Sequence, residues 1–255
     1  SATLERLFHK RNLTLFIVLT GVCIGLLGLM SDFGTALIFF VAFLCIAFLR
    51  TGDLPSIVMI TAAAGFAGGI VLRFKPYVLA RFAVWRHAWE YAQEEGYQQT
   101  RTMSAVASGG LFGAGPEEAW LKYVGAANTD LVFGVVSEEF GLLLALCAAA
   151  AVILLGIYAL RAAGRSRSSF YAIAACATAA MLVFQTTLNV LGSVDLLPLT
   201  GVTFPFVSMG GSSMLSCWGL LAYLQAAAPP PVSVKAAPKA PAPAVKPPQA
   251  TGFLD

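Results

Sequence analysis

Three carboxylates, Asp130, Glu138 and Glu139, fall within ten residues of one another in a chain that is otherwise oily. A single carboxylate held within hydrogen-bond reach of a hydroxyl can take its proton as a general base. Upstream lie Gly109, Gly110, Gly113 and Gly115. Their amides could bind phosphate-type oxygens, as glycine-rich nests do. They could equally form tight turns packed on neighbouring helices. The GxxxxGK[ST] pattern of a nucleotide loop is missing. Arg101 and Lys122 flank the glycines and could neutralise a polyanion. A divalent cation, magnesium or manganese, held by carboxylates is a second route to the same end, and its ligands stay unassigned. Asp32, just before Gly34-Thr35, could hold a cation, receive a hydroxyl or cap an exposed helix N-terminus.

The polar residues pull against one another. Asp130 stands where a helix is expected to begin. A helix N-terminus favours the carboxylate and lowers its pKa below the usual value of about 3.9. Burial or nearby negative charge raises it, which suits a base better. Asp130 therefore reads either as a base or as an N-cap. If one helix ran on from it, Glu138 would lie about 80° around and about 12 Å along, and Glu139 about 180° around. Glu138 could then look toward the same cavity without touching Asp130. Both glutamates read either as substrate contacts or as ion-pair partners of a neighbouring helix.

These residues need a scaffold, and composition says which kind. The 255-residue chain is 58% hydrophobic and 11% charged, with a mean hydropathy of +0.78. Soluble domains carry about 25% charged residues. The expectation is an all-α polytopic membrane protein. About six spans are expected: residues 13–30, 36–49, 55–72, a single long helix over 131–160, 170–191 and 214–227. The break at Asp32 is short enough to imply a tight hairpin or a broken helix. Phe82, Trp85 and Trp89 form an apolar stripe that predicts an amphipathic helix over 81–96, in the headgroup layer or packed on the loop. Residues 196–213 carry Pro198, Gly201, Pro205, Gly210 and Gly211 and are expected to form a re-entrant segment.

Residues 1–228 thus form one transmembrane domain with a long loop at 73–130, and the Pro/Ala/Lys-rich tail, 229–255, is expected to be disordered. Ten of the sixteen Lys and Arg residues lie on the termini and short loops of one side. The positive-inside rule makes that side cytoplasmic, so both termini face the cytoplasm and loop 73–130 faces outward. The net charge of +3 gives no basic footprint for nucleic acid. Cys23, Cys45, Cys147, Cys176 and Cys217 sit in apolar runs and read as small hydrophobes. His9, His87 and Asp195 read as incidental.

Four blocks carry a resemblance: SDFGTALIF at 31–39, VASGGLFGAG at 106–115, NTDLVFGVVSEEFG at 128–141 and LLPLTGVTFPFVSMGGSS at 196–213. In order and spacing they resemble the signature blocks of the SEDS family, the shape, elongation, division and sporulation proteins of bacteria. The resemblance implies a ten-helix fold, of which this chain is similar to the last six helices. It implies polymerisation of lipid II into glycan strands at the outer face of the cytoplasmic membrane, during division, elongation or sporulation. Undecaprenyl pyrophosphate would be the leaving group. The implied partners are undecaprenyl lipids, a class B penicillin-binding protein and other divisome or elongasome membrane proteins.

By the same resemblance Asp130 is the general base for the acceptor sugar hydroxyl. Asp32, Thr129, Ser208, Gly210 and Gly211 line the site, with Arg101, Gly109, Gly110, Lys122, Glu138 and Glu139 as further contacts. The family usually has His-Thr-Asp where this chain has Asn128-Thr129-Asp130, which leaves no imidazole there. A lipid II transporter and a non-catalytic scaffold for the penicillin-binding protein are the alternatives, since broken helices with intramembrane acids also mark transporters. Without the first four family helices, the piece alone is expected to be inactive.

Overall fold

A computed structural model describes residues 2–74, 76–166 and 168–227. Among them the chain is all helical, with no strand. The helices are α1 (Ala2–Leu29), α2 (Phe33–Thr51), α3 (Leu54–Phe74), α4 (Pro76–Val84), α5 (Tyr97–Gly109), α6 (Val132–Phe140), α7 (Leu142–Arg165), α8 (Ser169–Ser193) and α9 (Gly211–Ala227). Among the described residues α2, α7 and α8 are long and apolar enough to cross a membrane. α1 and α3 carry shorter apolar stretches, Ile17–Leu29 and Leu54–Phe66. The tail, residues 229–255, lies outside the described residues, as does Arg167.

The helix pairing follows from where the small residues fall. Along α7, Ala145, Ala149, Val152, Gly156, Ala159 and Ala163 are buried or face α8, at a spacing of three or four. A Cβ on Gly156 would sit 2.7 Å from Val183 Cγ2, so the two helices approach closely there. Leu143, Leu146, Ile153, Leu154, Ile157 and Leu160 point outward and are exposed. Large apolar residues outside and small ones between helices is the pattern of bundles packed in lipid. On its other side α8 packs on α2, where Ile38, Leu188 and Val202 form one apolar cluster.

Two expected elements are different in the structure. The helix over 81–96 does not form: α4 ends at Val84, and turns follow to Gly96. Arg86 takes φ +65°, and its N–H donates to Asp195 Oδ1 at 3.1 Å. Trp85 Nε1 donates to the Leu196 carbonyl at 3.2 Å. These long-range bonds outweigh the local helical pattern, and they give Asp195 a structural task. The single helix over 131–160 is also divided. Gly141, at φ +93° and ψ 157°, ends α6 and begins α7. The break at Asp32 is a tight hairpin: Ser31 has φ +64°, and α1 packs against α2.

Candidate functional site

Asp130 belongs to a turn that closes just before α6. The N–H groups of Thr129, Asp130 and Leu131 all donate to the Ala126 carbonyl, at 3.0–3.2 Å. Ala126 adopts φ +65° to allow it. The N-cap of α6 is Leu131, with no side-chain cap bond. Asp130 is therefore not an N-cap.

It points toward residues 196–210, which run without helix between α8 and α9. Backbone of this kind must find partners, since buried peptide groups are costly when unpaired. Here side chains supply them. Arg81 Nη1, from α4, donates to the Leu199 carbonyl at 2.5 Å. Asn189 Nδ2, from α8, donates to the carbonyls of Val202 and Asp130, at 2.7 and 2.8 Å. Gln185 Nε2 donates to the Thr203 carbonyl at 2.9 Å. Ser208 Oγ accepts from Phe204 N–H and donates to the Thr129 carbonyl. Met209 N–H donates to the Asn128 carbonyl at 2.8 Å. The acid's turn and the 196–210 segment are thereby sewn together.

Gly201 sits at the centre of the seam, with φ +73°. A Cβ there would lie 3.3 Å from Asp130 Oδ2 and 3.5 Å from Arg81 Nη1. The carboxylate and the guanidinium thus converge on one glycine. Asp130 is half-buried, and burial pushes its pKa above the ordinary carboxylate value. The Thr129 hydroxyl and Arg81 pull it back down, while Asp32 adds a small upward push. The net direction is that of a usable base, and burial prevails.

Asp32 is exposed and caps α2, accepting from Thr35 N–H at 3.1 Å. Gly34 beside it packs against the Thr200 carbonyl. Asp32 therefore reaches Asp130 through its field. Among the described residues, no three His, Cys, Asp or Glu side chains gather as a metal site would require. The cation beside Asp130 in this fold is Arg81.

The end of α5 and the roof that follows it, residues 110–131, approach α6 closely at two glycines, Gly109 and Gly113. A Cβ on Gly109 would overlap the Ser137 carbonyl oxygen, and one on Gly113 that of Glu139. The Gly113 amide is spent on Gly109 O, Ala114 on Glu138 O and Gly115 on Glu139 O. Those amides are not a nest open to phosphate, so Gly109 serves close approach, as does Gly113. Gly110 takes φ +56°, and its carbonyl receives Leu142 N–H.

Glu138 corrects a second expectation. It is 1% exposed, and its carboxylate accepts from Trp120 N–H and Leu121 N–H at 3.2 and 2.9 Å. It anchors the 3-10 turn Leu121–Tyr123 instead of facing the cavity. Glu138→Ala strands both amides and should cost on the order of 3 kcal/mol. Glu138→Gln keeps one acceptor and should cost less. Thermal unfolding of the intact protein, with proteolysis of the 110–124 roof, checks this ranking; equal melting of the two variants would contradict it.

The remaining expected contacts scatter. Arg101 lies over the rings of Tyr97 and Trp120, 5.2 and 5.9 Å from their centroids. Lys122 donates to the Pro116 carbonyl. Both cations are thus engaged within the roof, and Glu139 is half-buried at the end of α6. Gly210 and Gly211 stand at the start of α9. The residues that sequence reasoning missed are Arg81 and Asn189. Arg81 passed as one charge on an amphipathic helix. Asn189 is a polar residue inside an apolar span, the kind that usually marks a functional interior.

A helical membrane protein with one half-buried acid seated on a glycine between a guanidinium and a broken segment is the class that fold and site define. Residues 3–229 match the FtsW/RodA/SpoVE family, described as cell cycle proteins. The chain belongs to this family. It is 33% identical over 211 residues to the probable peptidoglycan glycosyltransferase FtsW of Coxiella burnetii, covering 78% of this chain and 55% of that one. It is 32% identical over 219 residues to the peptidoglycan glycosyltransferase RodA of Mycobacterium leprae, covering 85% and 46%. A solved structure, from work on the structural coordination of polymerization and crosslinking by a peptidoglycan synthase complex, shares the fold. Its TM-score is 0.66 at 24% identity, over 84% of this chain and 60% of that chain. The chain spans about half the length of the curated relatives it matches.

Proposed function

We propose that the protein containing this chain polymerises lipid II into glycan strands, with Asp130 as general base. The acceptor sugar hydroxyl loses its proton to the Asp130 carboxylate as its oxygen bonds to the anomeric carbon of the donor. The bond from that carbon to the pyrophosphate breaks, and undecaprenyl pyrophosphate leaves. Arg81 supplies positive charge beside the reacting groups. Residues 73–130 face outward, where the sugars lie, and both ends of the transmembrane domain at 1–228 face the cytoplasm. A class B penicillin-binding protein crosslinks the strand.

The observation that supports this reading most is the seat of Asp130. It is half-buried, its pKa is raised by burial, and it opens onto Gly201 rather than capping a helix. A transporter would be expected to set its acids near the bilayer midplane, within the spans, whereas Asp130 precedes α6 at the end of a long loop. The test gives the intact purified protein labelled lipid II in liposomes. Glycan ladders are expected. Movement of lipid II across the bilayer without ladders would establish the transporter instead.

A further inference from the structure

Asn189 lies on α8 and is 2% exposed. Its two amide hydrogens are both used, one on the Asp130 carbonyl and one on the Val202 carbonyl. Flipping the amide would set an oxygen against two carbonyl oxygens, so these partners fix its orientation. Its Oδ1 is then left buried with no hydrogen-bond partner. A buried acceptor in that condition costs stability. An apolar residue would avoid that cost but would strand the carbonyls of Asp130 and Val202. What the asparagine supplies is geometry, because one planar group spans the acid's own peptide and the peptide next to Gly201. Polar groups that break local rules in this way belong where position matters more than stability.

We propose that Asn189 is the positioning residue of Asp130. It fixes the gap between the acid's turn and the Gly201 segment, and with it the seat in which the carboxylate receives the acceptor's proton. The inference rests on the polymerase reading of Asp130. Ser208 and Met209 join the same two segments further along, at Thr129 and Asn128. Of these three ties between the two segments, the one from Asn189 is made to the backbone of Asp130 itself. The charged groups that face Asp130 are Arg81 from α4 and Asp32 from the α1–α2 turn. α8 brings the uncharged Asn189, the 196–210 segment brings Gly201, and Glu138 of α6 is turned to the 120–121 amides.

The test compares Asn189→Leu, Asn189→Gln and Asp130→Asn in the intact protein, with labelled lipid II across a pH series. Leucine keeps the branched shape and removes both donations together with the unpaired oxygen, but it strands the carbonyls of Asp130 and Val202, so melting temperature is measured beside the rate and only folded protein is assayed. Its kcat should fall by about 10²-fold, the cost of misplacing a reacting group by about an ångström, with KM for lipid II unchanged. The acid limb of its rate profile should move to lower pH, because a loosened seat admits water to the carboxylate. Glutamine keeps the amide and should recover part of the rate. An unmoved acid limb, with Asp130→Asn inactive, would overturn the positioning role and leave the base assignment standing. An Asp130→Asn variant that polymerises like wild type would overturn the base assignment itself. Should Asn189→Leu not fold, Asn189→Ala is read by the same criteria.

Discussion

Asp130→Asn should abolish glycan polymerisation while leaving the protein at least as stable at neutral pH. A positioned general base contributes about 10²–10⁴-fold to a rate, and the amide of asparagine cannot take the proton. Stability moves the other way. Burial raises the folded pKa of Asp130 above its unfolded value of about 3.9. Such a carboxyl contributes stability that is fully present below the unfolded pKa and lost as pH rises through the folded one. At neutral pH its ionisation therefore opposes folding, and the isosteric amide removes that opposition. The measurements are ladder formation and melting temperature at pH 7. The wild-type rate should fall with acidity through an apparent pKa above the ordinary carboxylate range. A variant that loses activity together with stability would point to a structural carboxylate.

Gly141→Ala should be strongly damaging for so small a substitution. At φ +93° and ψ 157° the residue occupies backbone space that is essentially restricted to glycine. A Cβ would overlap the Leu111 carbonyl oxygen and lie 2.6 Å from the Phe112 carbonyl carbon and 2.7 Å from Gly113 N. All three contacts are backbone, so none can swing aside. Around the same point Leu142 N–H donates to Gly110 O at 2.9 Å and Leu143 N–H to Leu111 O at 3.3 Å. Backbone strain and overpacking together place the cost above about 3 kcal/mol. Gly125→Ala is the control: nothing lies within 4 Å of its Cβ and its φ is unexceptional. It should stay within about 0.5 kcal/mol of wild type. The comparison is made by thermal unfolding and by yield of folded protein. Equal behaviour of the two alanines would show that α6 and the roof do not interlock.

Much of this was legible in the residues, and the exceptions have physical causes. Spans announce themselves by hydropathy, and the four signature blocks marked the family. The division at Gly141 was hidden because a lone glycine between two helical stretches gives no local sign of its backbone angles. Only a contact with residues 111–113, some thirty positions earlier, reveals why a glycine is needed there. The helix expected over 81–96 had the right periodicity, yet Asp195 and Leu196 captured its backbone and indole. Glu138 looked like a partner for something charged. It satisfies two peptide groups that no pattern in the sequence announces. Arg81 and Asn189 were missed for a common reason. Each acts on carbonyls of a segment far along the chain, and a carbonyl carries no residue identity to read.

The stitching around Asp130 also dictates an order of assembly. The roof and α6 join residues close in sequence, so they can interlock soon after synthesis. The seat of the acid cannot. Its bond to Asn189 spans 59 residues, and the bond from Thr129 to Ser208 spans 79. At about 5–20 residues per second of synthesis, those partners arrive on the order of 3–16 s later. α7 and α8 must thread the bilayer in that interval, while the acid stands open beneath a finished roof. The site becomes a site only when the segment leading into α9 has been made.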